Sequence, residues 1–175
     1  MDHLLRIRWV SFNTAFGAVH AATSDKGLFG LSLRAERDDF LDWLASQAPE
    51  AEITEDTDGV LDDTRRQLVE YFRGDRSEFE LELDLDRLTG FQRRVLQHTA
   101  RVPYGEVTTY GALARASGRG TRAARAVGGA LGRNPIPVVI PCHRVIASDG
   151  SLGGFTGGLP RKRQLLALEQ KGQEA

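Results

Sequence analysis

The first half of the chain alternates between strand-like and helix-like hydrophobic patterns. The segments "LLRIRWVSF", "FGAVHAATS" and "GLFGLSLRA" are short apolar runs typical of strands, and the turn "SDKG" joins the last two as a hairpin. Helical spacing follows in "DFLDWL" and in "VLDDTRRQLVEYFRG", which ends at a glycine as helices often do. The segment "FELELDLD", residues 79–86, alternates strictly and predicts a half-buried strand. These patterns predict an antiparallel sheet covered by two helices.

After Leu88 the pattern becomes helical. Thr89 is followed three residues later by Gln92, a capping-box pattern at the start of an amphipathic helix. The segments "TTYGALARASG" and "TRAARAVGGALGRN" then predict two short helices joined by a glycine-containing turn, which is the layout of a helix-turn-helix. We therefore predict an α+β protein with an N-terminal domain over residues 1–88 and a mainly helical C-terminal domain over residues 89–175.

The second helix of the predicted pair has almost no side-chain bulk. Its small residues are Ala123, Ala124, Ala126, Gly128, Gly129 and Ala130, and the arginines in or beside it are Arg119, Arg122, Arg125 and Arg133. Glycine inside a helix costs about 1 kcal/mol relative to alanine, so something must offset that cost. Close packing against another helix is one explanation. A slim basic helix that enters a nucleic-acid groove, even the narrow minor groove, is the other.

Charge divides the chain at the same place as the hydrophobic pattern. Residues 1–88 contain 10 Lys and Arg against 20 Asp and Glu, a net charge of −10, and residues 89–175 contain 13 against 4, a net charge of +9. The two halves sum to the overall charge of −1. A basic half favours nucleic-acid binding because its cations displace counterions from phosphates, although the segregation can also be incidental.

The composition excludes several classes of protein. No apolar run reaches the roughly 20 residues of a membrane span, and the N-terminus lacks the pattern of a secretion signal, so we expect a cytoplasmic protein with no membrane partner. The single cysteine, Cys142, cannot form an internal disulfide. The histidines His3, His20, His98 and His143 show no metal-ligand spacing with it. We therefore expect no metal and no cofactor.

The lone cysteine has a histidine beside it in "IPVVIPCHRVIASDG". A thiol attacks as thiolate and needs a base or a hydrogen-bond network at neutral pH, which His143 can supply directly or through a water. A buried and inert thiol is the alternative. The glycine-rich "SDGSLGGFTGG" that follows favours a functional site, because glycine lets the backbone curl closely around a ligand.

These segments resemble a known family. "NPIPVVIPCHRVIASDGSLGGFTGGLPRKRQLLALE" is similar, nearly position by position, to the active-site signature of O6-alkylguanine-DNA alkyltransferases, also called methylated-DNA–protein-cysteine methyltransferases. The resemblance continues through "GFQRRVLQHTARVPYGEVTTYGALARAS" and "AARAVGGAL" and so covers residues 89–172. The N-terminal half resembles the family only in length and in the order of its elements, which implies an RNase H-like domain.

The resemblance implies stoichiometric, single-turnover transfer of an alkyl group from O6-alkylguanine in double-stranded DNA to Cys142, after the nucleotide has been flipped out of the duplex. It implies a monomer that binds the minor groove. The implied catalytic residues are the nucleophile Cys142, its base His143, the orienting Glu169, the proton donor Tyr110 and the loop-fixing Asn134. The implied DNA-binding residues are Thr109, Tyr110, Arg122, Ala123, Arg125, Ala126 and Gly128, with Arg125 filling the gap in the duplex. The implied substrate pocket contains Pro137, Val145, Phe155 and Thr156.

The chain departs from the family at two pocket positions and in one domain. Relatives often have Tyr where this chain has Phe155, and some have Ser in place of Thr156, so we expect a changed tolerance for bulky alkyl groups. Residues 1–88 lack the Cys and His set of the zinc site found in some relatives. A lesion-recognition protein of the alkyltransferase-like group is an alternative, although members of that group replace the cysteine, usually with tryptophan. A helix-turn-helix regulator and a cysteine hydrolase are further alternatives.

Overall fold

A computed structural model describes residues 3–155 and 157–173 and, at Thr121, the backbone alone. The chain divides into two compact units, residues 1–85 and 86–175. In the described parts of the chain, no helix is long and apolar enough to cross a membrane.

The first unit is a four-stranded sheet with two helices. Its elements are β1 (Arg6–Thr14), β2 (Gly17–Ser24), β3 (Gly27–Ser32), α1 (Arg37–Gln47), β4 (Glu52–Glu55) and α2 (Asp62–Phe72). The strand order is β3-β2-β1-β4, and the predicted antiparallel pairing is confirmed for β1 with β2 and for β2 with β3. The core cluster between the sheet and α1 includes Ile7, Ala22, Phe29, Phe40 and Leu44.

Two features of this sheet differ from the prediction. The short β4 was missed, and it pairs in parallel with β1. The predicted strand over residues 79–86 is wrong, because that segment forms only an isolated bridge between Leu83 and Leu28. Part of its backbone finds a side-chain partner instead: the Gln67 amide accepts from the Glu80 N–H at 2.9 Å and donates to the Glu80 carbonyl at 3.2 Å. An amide on α2 thus takes the place of a neighbouring strand, which an alternating pattern cannot reveal.

The second unit is mainly helical, as predicted. Its elements are α3 (Gly90–Ala100), β5 (Thr108–Thr109), α4 (Tyr110–Ala116), α5 (Ala124–Gly132), β6 (Val145–Ile146) and α6 (Leu159–Gln173), with 3₁₀ turns at Thr121–Ala123 and Cys142–Arg144. The helix pair α4 and α5 is connected through Gly118, whose φ of +81° is one that glycine adopts without strain. The short parallel pairing of β5 with β6 places the start of α4 beside the segment that follows Cys142.

Threonines cap two helices of this unit, and one capping prediction is wrong in part. The Thr89 hydroxyl accepts from the Gln92 N–H at 3.2 Å, and the Thr109 hydroxyl accepts from the Ala112 N–H at 3.1 Å. The Gln92 side chain, however, donates to the Arg133 carbonyl at 3.2 Å instead of completing a capping box. That carbonyl lies at the end of α5, where the last carbonyls have no partner within the helix.

Candidate active site

Cys142 begins a 3₁₀ turn that interrupts the extended chain after Pro141. Its N–H donates to the Ile140 carbonyl at 2.8 Å, and only 5% of the residue is exposed. The turn removes the geometric objection that neighbouring residues on an extended strand point to opposite faces. Cys142 and His143 therefore do not point to opposite faces of a strand.

Asn134 fixes the loop that leads to the thiol. Its amide nitrogen donates to the Ile140 carbonyl at 2.9 Å, its amide oxygen accepts from the Ile136 N–H at 3.0 Å, and its side chain also hydrogen-bonds to the Cys142 sulfur. Between these anchors Val138 has a φ of +75°, which is unusual for a β-branched residue and costs of order 1–3 kcal/mol. The loop is therefore held in a strained conformation by a buried amide.

His143 and Glu169 form a buried pair. His143 Nε2 lies 2.8 Å from Glu169 Oε2, and the two residues are 0% and 1% exposed. Glu169 also accepts from Arg144 Nε, at 2.5 Å through Oε1 and 3.1 Å through Oε2. Because the Glu169 carboxylate is an acceptor, Nε2 of the neutral imidazole carries the proton and Nδ1 has the lone pair. The predicted approach of His143 and Glu169 is observed, and Arg144 joins them.

The charge state of this cluster is set by burial and by ion pairing. Burial lowers the pKa of His143, while the Glu169 hydrogen bond and charge oppose that effect and the Arg144 and Lys162 charges reinforce it. Burial raises the pKa of Glu169, but the hydrogen bonds and charges of His143 and Arg144 outweigh burial and leave the pKa below its usual value. At neutral pH the cluster is therefore an imidazole base beside a carboxylate and a guanidinium.

The thiol itself is protonated in the resting protein. Burial raises the pKa of Cys142 to about 11, against the lowering effects of the Asn134 hydrogen bond, the Lys162 charge and nearby backbone amides. At pH 7 this leaves about one thiolate in ten thousand. Desolvation of the buried anion thus outweighs the groups that favour the thiolate.

Lys162 is a second buried cation beside the thiol. Its ammonium donates to the carbonyls of Val145 at 2.6 Å and Gly154 at 3.1 Å, and also to that of Leu152. Burial lowers its pKa, and the negative charge of an ionised Cys142 would raise it. Lys162 thus ties the glycine-rich loop to β6.

Sequence reasoning gave no role to Arg144 or Lys162. Arg144 follows the Cys-His pair directly in the chain. On α6 the buried residues are Lys162, Leu165 and Glu169, which share one helical face at spacings of three and four residues. A lysine that shares the apolar face of a helix with a glutamate was the sequence signal that could have identified Lys162.

A cavity of about 610 Å³ opens beside the thiol. Its walls come from α4, α5, the Cys142 turn and the glycine-rich loop. The lining residues are Tyr110, Ala124, Arg125, Gly128, Leu131, Gly132, Cys142, Gly153, Gly154 and Phe155. The structure thus brings the cysteine, the tyrosine and the slim helix to one space.

Tyr110 forms one wall of this cavity. Its hydroxyl donates weakly to the Gly154 carbonyl at 3.5 Å, and a Cβ on Gly153 would lie 2.6 Å from the same hydroxyl. Burial raises the pKa of Tyr110, and the Cys142 charge adds to this effect while the Gly154 hydrogen bond opposes it. Tyr110 is therefore a neutral phenol that can donate a proton into the cavity.

The helix α5 presents two faces. Its buried residues are Val127, Ala130 and Leu131, which supports the packing explanation for part of its small residues. Arg125 is exposed at the cavity, and Gly128 also lines it, where an added Cβ would lie 4.0 Å from the Tyr110 ring. Packing thus explains the small residues on the buried face of α5, and entry of the exposed face into a nucleic-acid groove stays a prediction.

The remaining predicted DNA contacts lie along the same helix pair. Arg122 and Ala126 are exposed, and Ala123 is half-buried. Thr109 is half-buried as the cap of α4. These four residues are therefore at least partly exposed to solvent.

The four predicted pocket residues fall in three different places. Phe155 lines the cavity, with its ring edge-on to the His143 ring at 6.5 Å between centroids. Pro137 and Val145 are buried and are not among the lining residues. Thr156 lies outside the described residues. Among residues 3–155 and 157–173, no three His, Cys, Asp or Glu side chains are grouped as a metal site would require.

Comparison with known proteins identifies similar sequences along most of the chain. The family model for the DNA binding domain of 6-O-methylguanine DNA methyltransferase matches residues 90–171, and the model for its ribonuclease-like domain matches residues 7–85. A methylated-DNA–protein-cysteine methyltransferase of Mycolicibacterium paratuberculosis is 53% identical over 105 residues, which are 60% of this chain and 62% of that protein. A protein of the same name from Methanosarcina barkeri is 49% identical over 60% of this chain and 65% of its own length. These alignments thus span less than two thirds of each relative.

Solved structures align over nearly the full length. The crystal structure of Mycobacterium tuberculosis OGT in complex with DNA has a TM-score of 0.79 and 37% identity, covering 95% of this chain and 94% of that one. An O6-methylguanine-DNA methyltransferase from Pyrococcus kodakaraensis has a TM-score of 0.66 and 26% identity, covering 93% and 98%. The predicted family resemblance and fold class, including the RNase H-like first domain, are confirmed.

Proposed function

The chain belongs to the 6-O-methylguanine DNA methyltransferase family, and from that premise we propose that it repairs DNA by moving the alkyl group of an O6-alkylguanine onto Cys142. The observation that carries the proposal is the position of the only thiol in the chain, in the wall of a cavity shared with Tyr110 and Arg125. The buried His143–Glu169 pair supplies a base beside it.

The proposed reaction is a displacement at the alkyl carbon. The Cys142 proton passes through a water to Nδ1 of His143, the sulfur forms a bond to the alkyl carbon, and the bond between that carbon and guanine O6 breaks. Tyr110 donates a proton to the leaving guanine and recovers one from His143 through solvent. The products are guanine in DNA and a thioether on the protein. A thioether is not cleaved by any group in the site, so each molecule reacts once.

In the proposed complex, α5 is the helix that contacts the DNA. The exposed Arg125 stands at the cavity mouth, where it fills the space left in the duplex by the flipped nucleotide. Small residues along this helix allow close approach to the minor groove. The proposed DNA contacts are Thr109, Tyr110, Arg122, Ala123, Arg125, Ala126 and Gly128. One protein molecule meets one lesion, so we propose that it acts as a monomer.

The flipped base occupies the cavity in this proposal. Phe155 forms one side of the pocket for the guanine. Asn134 keeps the Cys142 loop in its strained conformation while the base binds.

Intact-mass measurement tests the proposal. Incubation with a duplex oligonucleotide carrying O6-methylguanine should add one methyl group per protein molecule, and neither the Cys142→Ala variant nor a duplex without the lesion should give this gain. Binding to the lesion with no change in mass would instead indicate a recognition protein. Repeated turnover of an ester without DNA would indicate a hydrolase, and sequence-specific binding of undamaged DNA alone would indicate a regulator.

A further inference from the structure

Arg144 is a buried charge that the proposed transfer step does not use. Its Nε lies 2.5 Å and 3.1 Å from the two oxygens of Glu169, and its Nη1 donates to the Val102 carbonyl at 2.6 Å. The guanidinium carbon lies 5.7 Å from the centre of the Tyr104 ring. Arg144 is 6% exposed, so its position is fixed by protein groups and not by water.

Both oxygens of Glu169 have partners, and the histidine and the arginine share one of them. Oε2 faces His143 Nε2 at 2.8 Å and Arg144 Nε at 3.1 Å, and Oε1 accepts from Arg144 Nε at 2.5 Å. The Nε–H of Arg144 is shared between the two oxygens while His143 lies against Oε2, so donors at both oxygens limit rotation of the carboxylate about its last bond. The arginine therefore fixes the direction in which Glu169 meets the imidazole.

We propose that Arg144 is a positioning residue that keeps His143 a neutral base at physiological pH, by holding both oxygens of Glu169 and offsetting the negative charge of that carboxylate. This inference rests on the proposed function, because it assigns His143 the role of base. It differs from a purely structural role in predicting a change in pH dependence.

The groups around His143 shift its pKa in opposite directions. Glu169 on α6 favours the imidazolium, and an adjacent carboxylate typically favours a protonated partner by about 1–3 pKa units. Burial is the largest effect against the imidazolium, and the charges of Arg144, which follows His143 in the chain, and of Lys162 on α6 add to it. Cys142 is uncharged at rest because of its raised pKa, and the pKa of Tyr104 is raised by burial and by the Glu169 charge. Arg144 is in direct contact with Glu169, so its removal takes away the nearest positive charge that offsets the buried carboxylate.

The experiment is a titration of the His143 ring by nitrogen NMR, with the His143 signals identified by their loss in His143→Gln. In the wild type the ring should titrate below the ordinary histidine pKa of 6.5. In Arg144→Met the His143 pKa should rise by about 1–3 units. Arg144→Lys should restore most of the wild-type value, and Arg144→Met/Glu169→Gln, which removes both charges, should return the pKa to a low value. The acid limb of the methyl-transfer rate should shift in parallel in the single variant.

Several results would overturn the inference. A wild-type His143 that titrates at or above pH 6.5 would do so, and so would a folded Arg144→Met protein with an unshifted His143 pKa. A rate that falls equally at every pH, with an unshifted acid limb, would reveal a structural role only. If Arg144→Met does not fold, Arg144→Gln, which keeps a hydrogen-bond donor and removes the charge, should show the same rise in the His143 pKa, and an unshifted pKa there would overturn the inference. The proposed function fails separately, if the wild type gains no methyl group.

Discussion

Replacement of Gly153 by alanine tests whether the glycine-rich loop positions Tyr110. An added Cβ would lie 2.6 Å from the Tyr110 hydroxyl, and an ordinary contact begins at 3.4 Å, so the phenol must move by about 0.8 Å. A displacement of this size in a catalytic group costs on the order of 100-fold in rate. We therefore expect the Gly153→Ala variant to transfer the methyl group roughly 100-fold more slowly.

The loop offers a matched control for backbone strain. Gly153 has a φ of +68° and Gly150 has a φ of +85°, but nothing among the described residues lies within 4 Å of a Cβ on Gly150. Each alanine variant should lose about 1 kcal/mol of unfolding free energy, because a residue with a Cβ is disfavoured at positive φ. The Gly150→Ala variant should nevertheless react at close to the wild-type rate.

The assay is the single-turnover rate of methyl transfer from a lesion duplex, followed by intact mass. If the glycine acts through the tyrosine hydroxyl, the double variant Tyr110→Phe/Gly153→Ala should react no more slowly than Tyr110→Phe alone. A Gly153→Ala protein with the wild-type rate would refute the reasoning. So would a Gly150→Ala protein that is equally slow, or fully additive effects in the double variant.

Three further predictions concern charged groups. Arg125→Ala should slow methyl transfer from duplex DNA about 10-fold or more but leave transfer from the free modified base unchanged. Arg125→Lys should recover part of the loss. Equal losses on both substrates would contradict a role of Arg125 in nucleotide flipping. Lys162→Met should lower the free energy of unfolding measured in urea by about 3 kcal/mol, because it leaves buried carbonyls without their donor. A loss below about 1 kcal/mol would contradict the importance of these hydrogen bonds. Because burial lowers the folded-state pKa of His143, the unfolded chain binds a proton first on acidification, and the free energy of unfolding should fall as the pH is lowered from 7.5 to 5.5. The lowered pKa of Glu169 adds a further loss below pH 4.5, and His143→Gln should abolish the first loss but not the second.

Local sequence patterns predicted those parts of the fold that depend on local contacts. Thr89 and Thr109 cap helices because a hydroxyl reaches an N–H three residues away, and Gly74 and Gly118 end helices because glycine adopts positive φ. These interactions close within one turn of chain. Their residue types and spacing are therefore visible without the tertiary structure.

Patterns failed where the partner lies far along the chain. The alternating residues 79–86 have the period of a strand, but a side-chain amide from Gln67 satisfies part of their backbone. Gln92 is spaced as a capping residue, yet it bonds a carbonyl 41 positions away. In both cases a side-chain amide can hydrogen-bond to a local or to a distant partner, and tertiary packing determines which of the two bonds forms.

The sequence by itself determined the family, the two-part α+β architecture and the position of the single cysteine, because these depend on residue order and on periods of a few residues. Only the tertiary structure decided the ionisation of Cys142 and the places of Arg144 and Lys162. The reason is electrostatic. The free energy of a charged group depends on how much water the fold removes around it and on which distant groups replace that water. Neither can be read from the residues that are adjacent in sequence.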